Sequence, residues 1–296
     1  MNSKKINFFI LGAPKCGTTS MYHWLRQHSE IYFPEIKETH FFSTDLHPNK
    51  RSVKKMEDYQ VLYSDANNNH KVLGDASVFY LYSEEAVPNI LEYNSEAKFL
   101  VMLRNPVEMV VSLHAQYLHT GNEIYEDFEK AWSLKDERIN GVGTTKITED
   151  PQLLNYGKVC SVGSQVERLL KKVEREKVKF ILLDDLKKEP EKVLKYLFQF
   201  LEIGSEKIDL EIKNTVTARR SKNFHRFIKY LNRLKKDVGI GRLNTGFKKL
   251  ISRLNTKKGS KFVLEGDLRR EVINKFESDV ELLMNSLNED LTHWLK

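Results

Sequence analysis

The most constraining feature of this sequence is a short apolar stretch that runs directly into a glycine-containing loop and then into a helix. Residues 6–11 are almost entirely apolar, which predicts a buried strand. The loop over residues 12–17 contains two glycines, and the helix that begins near Thr18 has apolar residues at the spacing of a core-facing stripe. This order is typical of parallel α/β sheets, in which such a loop lies at the carboxyl end of its strand.

The alternation of strands and helices recurs along the chain. Further strands are predicted at residues 98–103 and 178–183. Helical periodicity is found at 106–118, 162–173, 190–201 and 268–291. The pattern predicts an α/β, three-layer fold with a central parallel sheet flanked by helices. For 296 residues we expect a single domain over 1–296, in which the weakly periodic stretch 119–160 is a candidate lid or insertion.

Composition excludes several classes of protein. The two cysteines, Cys16 and Cys160, are too few for a disulfide framework, and they form no CxxC pair for a structural zinc site. No apolar run approaches the roughly 20 residues that a bilayer-spanning helix requires. We therefore expect a soluble protein of a reducing compartment, with a cytoplasmic location.

Basic charge is concentrated in one segment. Residues 219–261 hold fifteen Lys or Arg and one acid, a local charge of +14, whereas the whole chain carries +7. Apolar residues at helical spacing within the segment, among them Phe224, Phe227 and Leu231, predict basic amphipathic helices. Such helices could lie on an anionic membrane, bind an anionic polymer, or cover the core with a solvated basic face.

The loop Gly12-Ala13-Pro14-Lys15-Cys16-Gly17-Thr18-Thr19 has the composition of an anion-binding site. Its backbone N–H groups and the amino terminus of the helix both favour a negative ligand. The glycines have P-loop spacing, but Thr18 occupies the position of the P-loop lysine, and the lysine lies inside the loop at Lys15. An ordinary turn capped by Thr18 and a degenerate P-loop are the alternatives. Cys16 is interpreted as a packing residue rather than a catalytic thiol.

A second anion contact is predicted where the strand 98–103 ends. Arg104 follows that strand directly, and a planar guanidinium there suits bidentate phosphate binding. Ser112 lies eight residues further, about two turns into the next helix. A solvated helix face explains Ser112 nearly as well.

Together these motifs resemble the sulfotransferases that use 3′-phosphoadenosine 5′-phosphosulfate (PAPS). The segment from Gly12 to Ser20 is similar to the 5′-phosphosulfate loop of that family, and Arg104-Asn105-Pro106 with Ser112 is similar to its 3′-phosphate motif. Lys37-Glu38-Thr39-His40-Phe41-Phe42 resembles the Lys-Glu-x-x-Phe-Phe segment of the heparan-sulfate and bacterial carbohydrate branch. Further likeness at residues 180–186 and 293–295 extends the resemblance over most of the chain.

The resemblance implies a P-loop-like fold and transfer of a sulfuryl group from PAPS, leaving the bisphosphate PAP, to a hydroxyl or less favourably an amine of a carbohydrate, glycolipid or small metabolite. The implied 5′-phosphosulfate ligands are Lys15, Cys16, Gly17, Thr18, Thr19 and Ser20, and the implied 3′-phosphate ligands are Arg104, Ser112 and Arg219. Lys15 would stabilise the leaving phosphate. Glu38 would be the general base, with His40 as the competing candidate.

The resemblance implies a hydroxyl-bearing acceptor as the partner. If the basic segment 219–261 forms part of the acceptor side, we expect that acceptor to be anionic or membrane-borne. The same segment would then contact a membrane surface peripherally. No metal and no nucleic acid is expected. The chain departs from the family at Gly74-Asp75-Ala76-Ser77-Val78, where relatives often have Gly-Glu-Lys-x-Pro. The lysine that assists the sulfonate in some members is therefore absent, and Lys37 is the candidate substitute.

Two other functions stay open at this point. The apolar strand that ends at Asp184-Asp185 is also typical of a magnesium-binding strand end, which would fit a P-loop kinase or NTPase that uses Mg-ATP. The basic segment would fit a non-catalytic protein that binds nucleic acid or another polyanion. A magnesium requirement favours the first of these, and a steep salt dependence favours the second.

Overall fold

A computed structural model describes residues 5–145, 148–210 and 262–296, together with the backbone of 217–219 and 256–258. The chain divides into two compact units. The first unit comprises Met1–Met109, Lys158–Ile212 and Glu271–Lys296, and the second comprises Val110–Gly157 and Lys213–Arg270. The expectation of a single domain stays a prediction.

The first unit contains a five-stranded parallel sheet. Its strands are β1 (Phe8–Gly12), β2 (Ile31–Tyr32), β3 (Val72–Ala76), β4 (Lys98–Leu103) and β5 (Val178–Leu182). The order across the sheet is β2-β3-β1-β4-β5, with every pair parallel. The central strand β1 is buried at every position, as expected for a strand covered on both faces.

Helices alternate with these strands along the chain. In chain order they are α1 (Thr18–Leu25), α2 (Met56–Val61), α3 (Ala86–Tyr93), α4 (Pro106–Thr120), α5 (Phe128–Ser133), α6 (Tyr156–Cys160), α7 (Val162–Leu170), α8 (Leu183–Lys188), α9 (Pro190–Leu201) and α10 (Gly266–Leu287). The predicted α/β fold with a central parallel sheet is confirmed, and the predicted strands at 98–103 and 178–183 agree with β4 and β5 within one residue.

Strand pairing brings three strand ends to one edge of the sheet. Phe9 of β1 is opposite Asp75 of β3 on one side and Phe99 of β4 on the other. The loops that follow β1, β3 and β4 therefore leave the sheet at the same carboxyl edge, which is where open α/β sheets bind ligands.

Two strands were not predicted from the sequence. β2 has only two residues, and β3 contains Gly74 and Asp75, which are residue types depleted in strands. Both strands form because they pair with neighbouring strands of the sheet. Ile31 and Tyr32 pair with Val72 and Leu73, and β3 pairs with β1 along three further positions.

The second unit includes the stretch 119–160 as far as Gly157, and this stretch is predicted as a lid or insertion. Its described part folds around a fully buried ion pair, in which Arg138 Nη2 lies 2.7 Å from Glu123 Oε2. The Tyr156 hydroxyl also donates to Glu123, at 2.9 Å, and the other carboxylate oxygen accepts the amides of Ile124 and Tyr125. The stretch therefore has an ordered polar centre, and its role as a lid stays a prediction.

The predicted basic helices over 219–261 lie almost entirely outside the described residues. The two parts of the segment with a described backbone are strands: β6 (Thr217–Arg219) pairs antiparallel with β7 (Thr256–Lys258).

Among the helices in the described part of the chain, none combines the length and the apolar character needed to cross a membrane.

Candidate active site

The loop between β1 and α1 requires glycine at both of its glycine positions. Gly12 has φ +137°, and a Cβ there would lie 2.3 Å from the carbonyl oxygen of Val78. Gly17 has φ +87°, and a Cβ there would lie 3.0 Å from a methyl group of Leu183. Both conformations are ones that side chains rarely adopt, so the two glycines fix a tight path for the backbone.

The amino terminus of α1 leaves a set of amide donors without helical acceptors. The first bond of the helical ladder runs from the Met21 amide to the Gly17 carbonyl at 3.1 Å, so the amides before Met21 have no acceptor within the helix. Gly17 is the N-cap residue, and no side chain caps the helix. The alternative in which Thr18 caps an ordinary turn is therefore wrong. Thr18 is buried, and Thr19 is exposed.

Two cations meet at this loop. An Arg104 Nη1 donates to the Lys15 carbonyl at 3.4 Å, which places the guanidinium beside the loop. Burial, and after it the charge of Arg104, lowers the pKa of Lys15. Within the residues that the structure describes, no carboxylate forms an ion pair with Lys15. Adjacent cations beside the amino terminus of a helix are the features of an anion site.

The side chain of Arg104 already has a partner on the next helix. Its Nη2 and Nε lie 2.8 and 3.2 Å from Glu108 Oε2, one helical turn further along the chain. Glu108 is 57% exposed, and exposed pairs of this kind contribute about 0–1 kcal/mol. A phosphate could therefore compete with Glu108 for Arg104 at low cost.

Cys16, Ser112 and Arg219 are also predicted to bind the cofactor. Cys16 is fully buried, and its thiol lies 3.5 Å from the Pro14 carbonyl oxygen and 4.0 Å from Met109 Sδ. Burial raises the pKa of this thiol to about 12, so Cys16 is a packing residue whose side chain does not face the site. Ser112 is half-buried in the part of α4 that belongs to the second unit, and the side chain of Arg219 lies outside the described residues.

Glu38 and His40 lie in the loop that follows β2, where they form a hydrogen-bonded pair. His40 Nε2 lies 3.2 Å from Glu38 Oε2, and the same oxygen accepts the amide of Val78 at 2.8 Å. The other oxygen contacts the Lys37 ammonium. The carboxylate is acceptor-only when ionised, so the neutral His40 ring carries its proton on Nε2. Within the described residues, the buried Nδ1 has no hydrogen-bond partner.

The two side chains differ in exposure and in charge state. The side chain of Glu38 is 32% exposed, whereas His40 is 1% exposed as a residue. Burial raises the pKa of Glu38, but the charge of Lys37 and the His40 hydrogen bond outweigh it and bring the value to about 2. Burial lowers the pKa of His40 although Glu38 acts in the opposite direction. An ionised Glu38 beside a neutral His40 is therefore the state at neutral pH.

Asp75 is a further acidic residue in this region, and it was not assigned a role from the sequence. Asp75, near the end of β3, is buried and accepts hydrogen bonds from the hydroxyls of Thr39, Tyr59, Ser77 and Tyr80 at 2.7–3.0 Å. Burial raises its pKa, and the four hydroxyls oppose the shift. A signal was available, since Asp75 stands in the segment where the chain departs from the resembled family.

The alternative function that uses Mg-ATP rests on Asp184 and Asp185 at the end of a strand. Asp184 and Asp185 are exposed in the first turn of α8, and Asp184 pairs with Lys187 at 3.0 Å. Among the described residues, no group of three or more His, Cys, Asp or Glu side chains could hold a metal ion.

Comparison with known proteins gives one consistent family. A family model described as "Sulfotransferase domain" matches residues 5–246. Carbohydrate sulfotransferase 15 of Rattus norvegicus is 31% identical, in an alignment that covers 42% of this chain and 29% of that one. The membrane-associated sulfotransferase kil1 of Dictyostelium discoideum is 31% identical over 36% of this chain and 22% of its own. The chain thus spans less than a third of the length of these curated relatives.

Solved structures agree with the family match. A sulfotransferase from Alicyclobacillus acidocaldarius superposes with a TM-score of 0.74 at 26% identity, over 99% of this chain and 100% of that one. The sulfotransferase domain of the Synechococcus PCC 7002 olefin synthase shares the fold, with a TM-score of 0.51 at 15% identity over 98% of both chains. The chain belongs to the sulfotransferase domain family.

Proposed function

We propose that this sulfotransferase transfers the sulfuryl group of PAPS to a hydroxyl group of a carbohydrate. The observation that carries the proposal is the meeting of Lys15 and Arg104 at the amino terminus of α1, within the unit that also holds the Glu38 carboxylate. This arrangement provides an anion site and a candidate base at one edge of the sheet.

The residues present fit a nucleotide with two phosphate positions. Lys15 and the amides at 17–20 would hold the 5′-phosphosulfate, and Arg104 would hold the 3′-phosphate, with Ser112 and Arg219 as further candidates. PAPS supplies an activated sulfuryl group on a phosphate leaving group. Lys15 stabilises the negative charge that develops on that phosphate, because a donor fixed in place acts on charge as it forms.

Glu38 is the better candidate for the general base. It is ionised and partly exposed, so its carboxylate can accept a hydrogen bond from an acceptor hydroxyl. His40 is almost fully buried, and its Nε2 is engaged by Glu38. We therefore assign His40 to holding Glu38, rather than to contact with the acceptor.

Lys37 is the candidate for the missing sulfonate lysine. Its ammonium contacts Glu38 Oε1, and the side chain is 15% exposed. Movement of this ammonium from Glu38 towards the sulfonate would place positive charge where negative charge develops and would raise the basicity of Glu38 at the same time.

The acceptor class rests on the relatives rather than on the site. Carbohydrate sulfotransferase 15 is named for a carbohydrate acceptor, and a hydroxyl-bearing sugar is accordingly the class to test first. Location in the cell, an anionic acceptor and membrane contact through 219–261 stay predictions.

The first experiment is a titration with PAP, followed by calorimetry and thermal stabilisation, with and without EDTA and beside Mg-ATP. We expect binding that EDTA does not change and that Lys15→Ala weakens. Transfer from [³⁵S]PAPS to a panel of neutral and acidic oligosaccharides then tests the reaction, with Glu38→Gln as the inactive variant. A preference for Mg-ATP, or full activity of Glu38→Gln, contradicts the proposal.

A further inference from the structure

Asp75 is a buried carboxylate that the proposed reaction does not use directly. Its Oδ2 accepts the hydroxyls of Tyr80 at 2.7 Å and of Thr39 and Tyr59 at 2.9 Å each, and its Oδ1 accepts Ser77 Oγ at 3.0 Å. A hydroxyl has one proton to donate, and all four hydroxyls lie within donating distance of Asp75, although those of Thr39 and Tyr80 also lie 3.2 Å from each other. The hydroxyl oxygens are thereby left as acceptors for other donors.

Three of the four hydroxyls accept amides from consecutive residues. Ser77 Oγ accepts the His40 amide at 3.1 Å, Thr39 Oγ1 accepts the Phe41 amide at 3.4 Å, and the Tyr80 hydroxyl accepts the Phe42 amide at 3.5 Å. The carboxylate of Asp75 is thus connected, through one hydroxyl each, to three backbone amides in a row. Tyr59 is the exception, because it binds Asp75 without such an amide in these contacts.

The backbone that these contacts hold is strained. Glu38 has φ +65° and His40 has φ +48°, both in the left-handed region that non-glycine residues seldom adopt. Such conformations persist only where the surrounding structure enforces them. Here they bring His40 Nε2 to 3.2 Å from the Glu38 carboxylate, although the two residues are separated by only one position in sequence.

We propose that Asp75 is a positioning residue for Glu38: through the hydroxyls of Ser77, Thr39 and Tyr80 it fixes the segment 38–42, in which Glu38 and His40 have positive φ, and so fixes the Glu38–His40 pair. Its relevance to catalysis rests on the proposed function of Glu38 as the base. Asp75 itself does not contact the acceptor in this scheme.

A purely structural role for Asp75 makes a different prediction. If the carboxylate only stabilises the core, removal of any of its hydroxyl donors has the same kind of effect. If it positions the segment, removal of a hydroxyl that also accepts a segment amide disturbs the Glu38–His40 pair, whereas removal of the Tyr59 hydroxyl does not. Tyr59→Phe is therefore the matched control for Ser77→Ala and Thr39→Val, since all three remove one hydrogen bond to Asp75.

The direct readout is the tautomeric state of His40 in ¹⁵N-labelled full-length protein, assigned with His40→Gln. We expect a wild-type ring with its proton on Nε2. Ser77→Ala and Thr39→Val should give a mixture of tautomers or a shifted His40 signal, and Tyr59→Phe should retain the wild-type signal with a lowered Tm. Asp75→Asn is the stronger variant, but the two milder ones keep the test valid if it does not fold.

Kinetics and binding provide the second readout. With [³⁵S]PAPS and a carbohydrate of the panel, kcat should fall about 10- to 100-fold in Ser77→Ala while KM for PAPS stays within about twofold, as expected when a catalytic group is displaced but the cofactor site is intact. Tyr59→Phe should retain wild-type kcat. An unchanged His40 signal in both connecting variants, or an equal change in Tyr59→Phe, overturns the proposal.

Failure of the proposed function would look different. If wild-type protein does not bind PAP, the cofactor assignment is wrong, and the His40 signals still decide whether Asp75 fixes the segment. If PAP binds and the His40 signals do not respond to the connecting variants, the positioning role is wrong and the cofactor assignment stands.

Discussion

Replacement of Arg104 tests the cofactor site most directly, because this side chain has two separable contacts. Its guanidinium donates to the Lys15 carbonyl and also pairs with Glu108. In the proposed complex it holds the 3′-phosphate of PAP. Arg104→Met keeps an apolar side chain of similar length and removes the charge, and Glu108→Gln keeps Arg104 and removes its competing partner.

The expected loss of PAP affinity in Arg104→Met follows from these contacts. Hydrogen bonds to charged groups contribute about 1.5–3 kcal/mol. Displacement of Glu108 costs the wild type about 0–1 kcal/mol, because that pair is largely exposed on the carboxylate side. The net loss in Arg104→Met is then about 0.5–3 kcal/mol, or roughly 2- to 140-fold in Kd at 1.4 kcal/mol per tenfold. Glu108→Gln should tighten PAP binding by up to about fivefold.

The assay is calorimetric titration with PAP and with adenosine 5′-phosphate, which lacks the 3′-phosphate. Arg104→Met should lose affinity for PAP and stay within about twofold of wild type for the monophosphate. An equal loss for both ligands would refute the 3′-phosphate assignment and would indicate that Arg104 acts through the Lys15 carbonyl. Weaker PAP binding by Glu108→Gln would refute the competition between Glu108 and phosphate.

Three further changes have defined outcomes. Lys37→Met removes the cation beside Glu38, so the pKa of Glu38 should rise from about 2 towards its ordinary 4.5, and its protonation should occur at higher pH in a ¹³C-carboxyl titration. Arg138→Met leaves Glu123 buried without its partner and should lower the free energy of unfolding in urea by about 3–5 kcal/mol. Gly12→Ala forces a methyl group onto a backbone carbonyl and should lower Tm by several degrees and weaken PAP binding at least tenfold.

Two of these changes, Arg138→Met and Gly12→Ala, have a control in the same chain. Asp184→Asn breaks an exposed ion pair and should change the free energy of unfolding by less than about 0.5 kcal/mol. Gly266→Ala also stands at positive φ, but nothing lies within 4 Å of the new methyl group. A Glu38 that still titrates near 2 without Lys37, an Arg138→Met protein as stable as Asp184→Asn, or a Gly12→Ala protein as stable as Gly266→Ala would each contradict the reasoning.

The parts of the site that the sequence predicts are those decided by local pattern. The loop 12–17 follows a fully apolar strand and precedes a periodic helix, and the structure has that order, with β1 and α1 on either side. Arg104 directly follows β4, as predicted. Its pairing with Glu108 was not predicted, because Arg104 lies before α4 begins and the rule for helix neighbours does not reach it.

The parts that were missed depend on contacts distant in sequence. β3 contains glycine and aspartate, and its pairing with β1 decides its conformation more than its own residues do. The backbone conformation of Glu38 and His40 was also missed, since both residues have positive φ and nothing in the local sequence indicates it. The two side chains nevertheless meet, because hydroxyls near the end of β3 and after it hold the amides of 40–42.

The charge state of Glu38 limits how it can act as a base. A carboxylate with a pKa of about 2 is a weak proton acceptor for a free alcohol, so early proton transfer would be strongly uphill. The hydroxyl becomes far more acidic as its oxygen bonds to sulfur, and transfer late in the reaction is then favourable. In the proposed ground-state complex Glu38 would therefore act mainly by accepting a hydrogen bond from the acceptor hydroxyl and orienting it. This order of events explains why a fixed carboxylate position matters more here than high basicity, and why Lys37, which lowers the pKa of Glu38, is compatible with catalysis.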